Sequence, residues 1–87
     1  MRFLVQSPHT KEECLKALDE TLAKGTETLN KFEWGCMAGD HTGYALIDAE
    51  NESKVRNLLP SFVRDKARVT QISKISPDQI RSFHKAA

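Results

Sequence analysis

Apolar positions along this chain come in short runs that switch between two periods. Phe3, Leu4 and Val5 form one run, closed by Ser7-Pro8, and predict a first strand over 3–6. Thr10-Lys11-Glu12-Glu13 is a capping-box pattern, in which the threonine hydroxyl and the glutamate carboxylate satisfy each other's backbone N–H groups. The helix it opens carries Cys14, Leu15, Leu18 and Leu22 at helical spacing, and this predicts a packed stripe with Cys14 in the core. Gly25 suits the residue that ends that helix, and 26–30 reads as a connector with Leu29 tucked inward.

A second apolar run predicts a strand over 32–38. A turn over 39–43 and a third strand over 44–49 complete a hairpin. Asn51 is a helix cap, with Val55, Leu58, Leu59 and Phe62-Val63 inward and Pro60 breaking the helix near its end. Residues 67–72 are rich in β-branched side chains and predict a fourth strand. Ser76-Pro77-Asp78-Gln79 opens a last helix, which Ile80 and Phe83 would anchor.

The order β-α-β-β-α-β-α, with right-handed crossovers, predicts an α+β fold. Its form is a ferredoxin-like βαββαβ antiparallel sheet with a C-terminal helix, as a single domain over 1–87. Alternation sets Phe32, Trp34 and Cys36 against Glu33, Gly35 and Met37 in the second strand, and Tyr44 and Leu46 against Ala45 and Ile47 in the third. Neither face of this hairpin is consistently polar, and two helices cover only one face. A chain of 87 residues has a marginal core, so the uncovered face predicts a homodimer or higher even oligomer.

Composition narrows the classes. The chain is 39% hydrophobic and 29% charged with a formal net charge of +1, and its charges alternate in sign, which argues against a nucleic-acid surface. The N-terminal apolar run is too short for a signal peptide, and no window approaches a membrane span. The expected location is cytoplasmic, with Cys14 and Cys36 as reduced thiols.

Gly39-Asp40-His41-Thr42-Gly43-Tyr44, the apolar strand that follows, Asp48-Ala49-Glu50, a helix and Ala67-Arg68-Val69-Thr70 together resemble the second half of GYD-domain proteins. More generally the pattern is similar to the dimeric α/β-barrel superfamily. His41-Thr42 stands where GYD-like sequences tend to carry tyrosine and an acid. The resemblance implies ferredoxin-like units whose sheets pack face to face in a dimer. Relatives by fold include antibiotic-biosynthesis monooxygenases, muconolactone isomerase and heme-degrading enzymes, and no residue set in this chain matches the catalytic pattern of any one of them.

The candidate ligand-binding residues are His9, Trp34, Cys36, Asp40, His41 and Tyr44. Trp34, Cys36, Met37 and Tyr44 either line a pocket between the sheets of a dimer or simply fill its core. In the expected topology His9 and His41 reach the same sheet edge, beside the start of the first helix. His9, His41 and Asp40 there form a small polar site, or the histidines are surface residues. No HxH, HExxH or CxxC spacing is present, so no metal or cofactor is assigned, and the helix end favours an anionic ligand over a bare cation. The basic run Arg64-Asp65-Lys66-Ala67-Arg68 lacks the glycines of a phosphate loop and reads as a solvated segment. Three functions stay open: a domain binding a small organic ligand between sheet and helices, a non-catalytic oligomeric or protein-interaction module, and a small monooxygenase- or isomerase-like enzyme.

Overall fold

In a computed structural model, which describes residues 1–86, four antiparallel strands form one open sheet in the order β2-β3-β1-β4. The elements are β1 (Arg2–Pro8), α1 (Cys14–Ala23), α2 (Thr26–Asn30), β2 (Phe32–Trp34), a 3-10 turn (Cys36–Ala38), β3 (Thr42–Asp48), α3 (Glu52–Arg56), β4 (Arg68–Ile72) and α4 (Pro77–Ala86). Central β1 pairs with β3 from Arg2↔Asp48 to Pro8↔Thr42 and with β4 from Arg2↔Ile72 to Gln6↔Arg68. The element order agrees with the predicted one, apart from the short helix inside the first connector.

Alternation places Phe3, Val5, Phe32, Ala45 and Ile47 on the covered face, where Val55, Leu59, Val63 and Ala67 close over them. Val55 and Leu59 are wholly buried. Each such side chain contributes roughly 1.5–3 kcal/mol of burial, which makes this layer the main source of stability. Asn51 caps α3 as expected, its Oδ1 accepting from the Lys54 N–H at 3.0 Å. The segment after α3 is held by two arginines. Arg56 Nη1 donates to the carbonyls of Arg64 (2.7 Å) and Ala67 (2.9 Å), and Arg64 donates back to those of Arg56 and Leu59. Arg64 is therefore a structural brace rather than part of a free basic run.

Three expectations are corrected. The α1 stripe is Cys14, Ala17, Leu18 and Thr21, and not the leucine-rich one, since Leu15 and Leu22 are exposed. A small-residue face lets the helix approach closely, and the buried Thr21 hydroxyl is satisfied by donating to the Ala17 carbonyl at 2.8 Å. The second strand stops at Trp34, so Cys36 and Met37 leave the strand alternation, and Met37 is fully exposed. Gly35 turns the chain there. Its N–H donates to the Thr42 carbonyl and its own carbonyl accepts from Asp40, and a Cβ at Gly35 would lie 2.7 Å from the Asp40 oxygen.

The third correction is α4. Ser76 and Gln79 make the predicted capping box, yet Ile80 and Phe83 are exposed and anchor nothing. The radius of gyration is 15.8 Å, with extents of 51 × 28 × 21 Å. A packed chain of this length has a radius of about 12 Å.

Candidate metal centre

Four chain segments converge at one end of the sheet. Pro8 closes β1, and the next residue, His9, is buried and donates its backbone N–H to the His41 carbonyl at 2.9 Å. This bond ties the end of β1 to the start of β3, as the predicted topology requires. Thr10 and Glu13 form their capping box, with bonds of 2.9 and 3.2 Å, and so fix the chain's entry into α1. Cys14 is the first residue of α1. From the other side, the Gly35 turn presents Cys36 as the first residue of the 3-10 turn. Gly39, at φ +88°, takes the left-handed conformation that brings the chain back through Asp40 to His41.

The result is a cluster of His9, Cys14, Cys36 and His41 whose nitrogen and sulfur ligand atoms all lie within 4.8 Å of one another. Cys36 Sγ is 3.4 Å from His9 Nε2, and the two imidazole rings meet edge to face at 5.5 Å between centroids. Tetrahedral zinc with Zn–S of ~2.3 Å and Zn–N of ~2.0–2.1 Å holds its donors roughly 3.3–3.8 Å apart. The observed set is at, or within about 1 Å of, that spacing.

A second observation points the same way. The buried Nδ1 of His41 has no hydrogen-bond partner among the described residues. Leaving such a nitrogen unpaired costs ~1–3 kcal/mol, and coordination of a Lewis acid removes that cost.

Burial also sets the electrostatics of two of the four groups, His9 and Cys36. Burial, and then the neighbouring His41, hold His9 below the ordinary imidazole value, with Glu13 opposing. Burial, and then Cys14 beside it, push the Cys36 thiol up. Both shifts keep these groups neutral near pH 7, and a bound dication reverses the thiol's preference by stabilising the thiolate. Four protein donors are enough to fill a tetrahedral shell, the donor count typical of structural zinc sites.

The sequence candidates divide. His9, Cys36 and His41 enter the cluster. Trp34 forms its wall, 6.1 Å from the His9 ring, and lies against Gly43, where an added Cβ would meet the indole at 2.9 Å. Asp40 and Tyr44 stand outside the ligand set. The Asp40 carboxylate accepts from the Tyr44 hydroxyl and from Thr42 Oγ1 (2.8 Å), and these two bonds, the tyrosine's first, hold it below the usual carboxylate value. The same bond raises Tyr44. Tyr44 belongs to the uncovered face, so the sheet separates it from Trp34, with which it was expected to line one pocket.

Cys14 is the residue that sequence reasoning missed as a ligand. It is half-buried, with its sulfur in the cluster rather than in an apolar core. The signal was present: the capping box fixes Cys14 just past His9, and the topology already placed His9 beside His41. No protein-family model, curated protein or solved structure matches this chain.

Proposed function

We propose that this domain binds one transition-metal ion of the zinc class through Cys14, Cys36, His9 and His41, as a structural clamp. The observation that carries the reading is the four-donor cluster with its mutual separations within 4.8 Å. Two thiolates and two imidazoles suit zinc, whose d¹⁰ shell accepts a tetrahedron without preference and which is bound closed in structural sites. The clamp joins the β1–α1 junction to the β2–β3 connection. A small domain with a marginal core gains most from such a staple. The ligand choice differs from the anionic occupant that the helix end favours, because two cysteines at the site supply the negative charge themselves. Thiolate ligands also suit a reducing compartment such as the cytoplasm.

Native mass spectrometry of protein prepared with zinc tests this. One zinc per chain, lost in Cys14→Ser and in His9→Ala, is the expected result. A chain that stays metal-free in micromolar zinc contradicts it.

A second reading concerns the uncovered face, where Leu46 and Tyr44 are exposed and Leu4 and Ile72 half-exposed. This supports face-to-face pairing of two chains in the manner of the dimeric α/β-barrel proteins. A cleft of about 340 Å³ lined by Leu4, Glu33, Tyr44 and Leu46 would then lie in the seam and take a small organic molecule. Sedimentation at micromolar concentration checks this reading, and a 9.8 kDa species alone removes it.

A further inference from the structure

Resting on the metal reading, we propose that Cys14 and Cys36 are also a thiol switch. A hydroperoxide oxidises the pair to an intramolecular disulfide and expels the metal, and a dithiol restores both thiols and the site.

The geometry carries this. The two sulfurs belong to one cluster with ligand atoms within 4.8 Å of each other, although the residues come from separate segments. They are the only cysteines in the chain, so an intramolecular bond has a single pairing. Each is the first residue of its element, where the preceding turn can absorb a small shift. Both are half-buried rather than sealed in the core. A small oxidant can therefore reach the sulfurs.

The metal-bound and oxidised states exclude each other. A metal holds the sulfurs apart by about 3.7 Å as anionic donors, whereas a disulfide brings them to ~2.05 Å and removes the charge. Once they are oxidised, only His9 and His41 remain as donors, and two neutral imidazoles do not retain zinc against water and chelators. The disulfide nevertheless ties the start of α1 to the same turn that the metal tied. Oxidation thus exchanges one staple for another, and the metal leaves without unfolding the domain.

The steps balance. One thiolate attacks a peroxide oxygen and the O–O bond breaks. The sulfur takes one oxygen as sulfenic acid, and the other oxygen leaves as water after taking a proton. The second thiolate attacks the sulfenic sulfur, the S–S bond forms, and the S–O bond breaks with loss of a second water after a further proton is taken up. Two thiolates, one hydrogen peroxide and two protons give one disulfide and two waters. The two electrons come from the sulfurs, and the zinc ion leaves with its oxidation state unchanged. Reduction runs by thiolate attack of a dithiol on the S–S bond, which returns both electrons to the cysteines.

The experiment uses the full chain loaded with one zinc and treated with hydrogen peroxide. It follows free zinc with a chromogenic chelator, intact mass, the Cys14–Cys36 cross-linked peptide, and near-ultraviolet circular dichroism. The expected result is one equivalent of zinc released in step with loss of two hydrogens and appearance of that peptide, with the dichroism retained. Dithiothreitol then restores zinc binding. Zinc that binds but is released only with oxygen added to the sulfurs, or with global unfolding, overturns the switch and leaves the metal reading intact. A chain that never takes up zinc overturns the metal reading and the switch with it. Cys14→Ser yields no intramolecular cross-link, and peptide mapping of the wild type decides the matter if that variant does not fold.

Discussion

On one face of the sheet, Phe3, Val5, Ala45 and Ile47 lie under Val55, Leu59 and Val63; on the other, Leu46 and Tyr44 remain exposed, and so do Ile80 and Phe83 on α4. The two faces are built from the same strands by the same alternation. The difference lies in what each has to work with. The covered face closes on itself through apolar burial, and at its end the chain gathers two sulfurs and two imidazoles, among which the buried Nδ1 of His41 has no hydrogen-bond partner among the described residues. The open face has apolar groups without cover. The lesson is that a chain of 87 residues secures one side completely and leaves two kinds of unmet demand, one for a Lewis acid and one for apolar contact. These demands are separable, and that separation can be broken experimentally.

The largest expected effect is on the covered side. Removing zinc with a chelator should lower stability by ~4 kcal/mol relative to a free-metal level 1,000-fold above Kd, which corresponds to a fall in Tm of roughly 15–30 °C for a domain of this size. Acidification acts in the same direction, since protons compete for the thiolates and imidazoles. The metal-free protein also loses stability as pH falls. His9 is held below its ordinary value in the fold, so the unfolded chain takes the proton first; that contribution is intact above the ordinary value of about 6.5 and fades below it. Thermal melts at pH 8 and pH 6, with and without zinc, check both signs.

A smaller effect separates the two faces directly. Leu59→Ala removes a wholly buried side chain and should cost ~2–5 kcal/mol at any protein concentration. Leu46→Ala, exposed in the single chain, should cost under ~1 kcal/mol at high dilution, and more at concentrations where chains pair. Denaturant midpoints measured over a range of concentrations show whether the open face carries that dependence.

The two capping boxes give the finest comparison. Thr10→Ala and Ser76→Ala remove the same kind of bond, worth ~1 kcal/mol to the helix concerned. Thr10→Ala should also weaken zinc binding, because its box sets the entry of Cys14. Ser76→Ala should leave both the zinc affinity and the global midpoint unchanged, since α4 is exposed and contributes no residue to the buried core among the described residues. Equal effects from the two would mean that α4 packs in solution.

Much of the fold was legible because its signals were local. Asn51, the Thr10–Glu13 box, the Ser76–Gln79 box and the Tyr44-to-Ile47 alternation each specify structure within a few residues. The misreadings arose where burial depended on distant partners. Leu15 and Leu22 satisfy helical periodicity, but the buried side of α1 is the one bearing Ala17 and Thr21. The second strand was cut short by Gly35, whose carbonyl is taken by Asp40 in a turn that only the returning chain defines. Most of the cluster was visible: His9 and His41 followed from strand order and Cys36 was a candidate, although its assignment to a strand grouped it with Trp34 and Tyr44, while Cys14 was hidden by its apolar neighbours on the helix. The ligands fall in two local pairs, His9 with Cys14 and Cys36 with His41, each five positions apart; both spacings are mixed His/Cys and match none of the HxH, HExxH or CxxC patterns, and only the fold brings the two pairs together.

Cobalt(II) substitution tests the central claim most directly, because its absorption reports both ligand type and geometry. A Cys2His2 site gives intense visible d–d bands of a tetrahedral ion together with near-ultraviolet thiolate charge transfer. Both should saturate at one cobalt per chain, halve their thiolate intensity or vanish in Cys14→Ser and Cys36→Ser, and disappear on displacement by zinc. A weak octahedral spectrum without charge transfer, or a spectrum unchanged by loss of either cysteine, would contradict it.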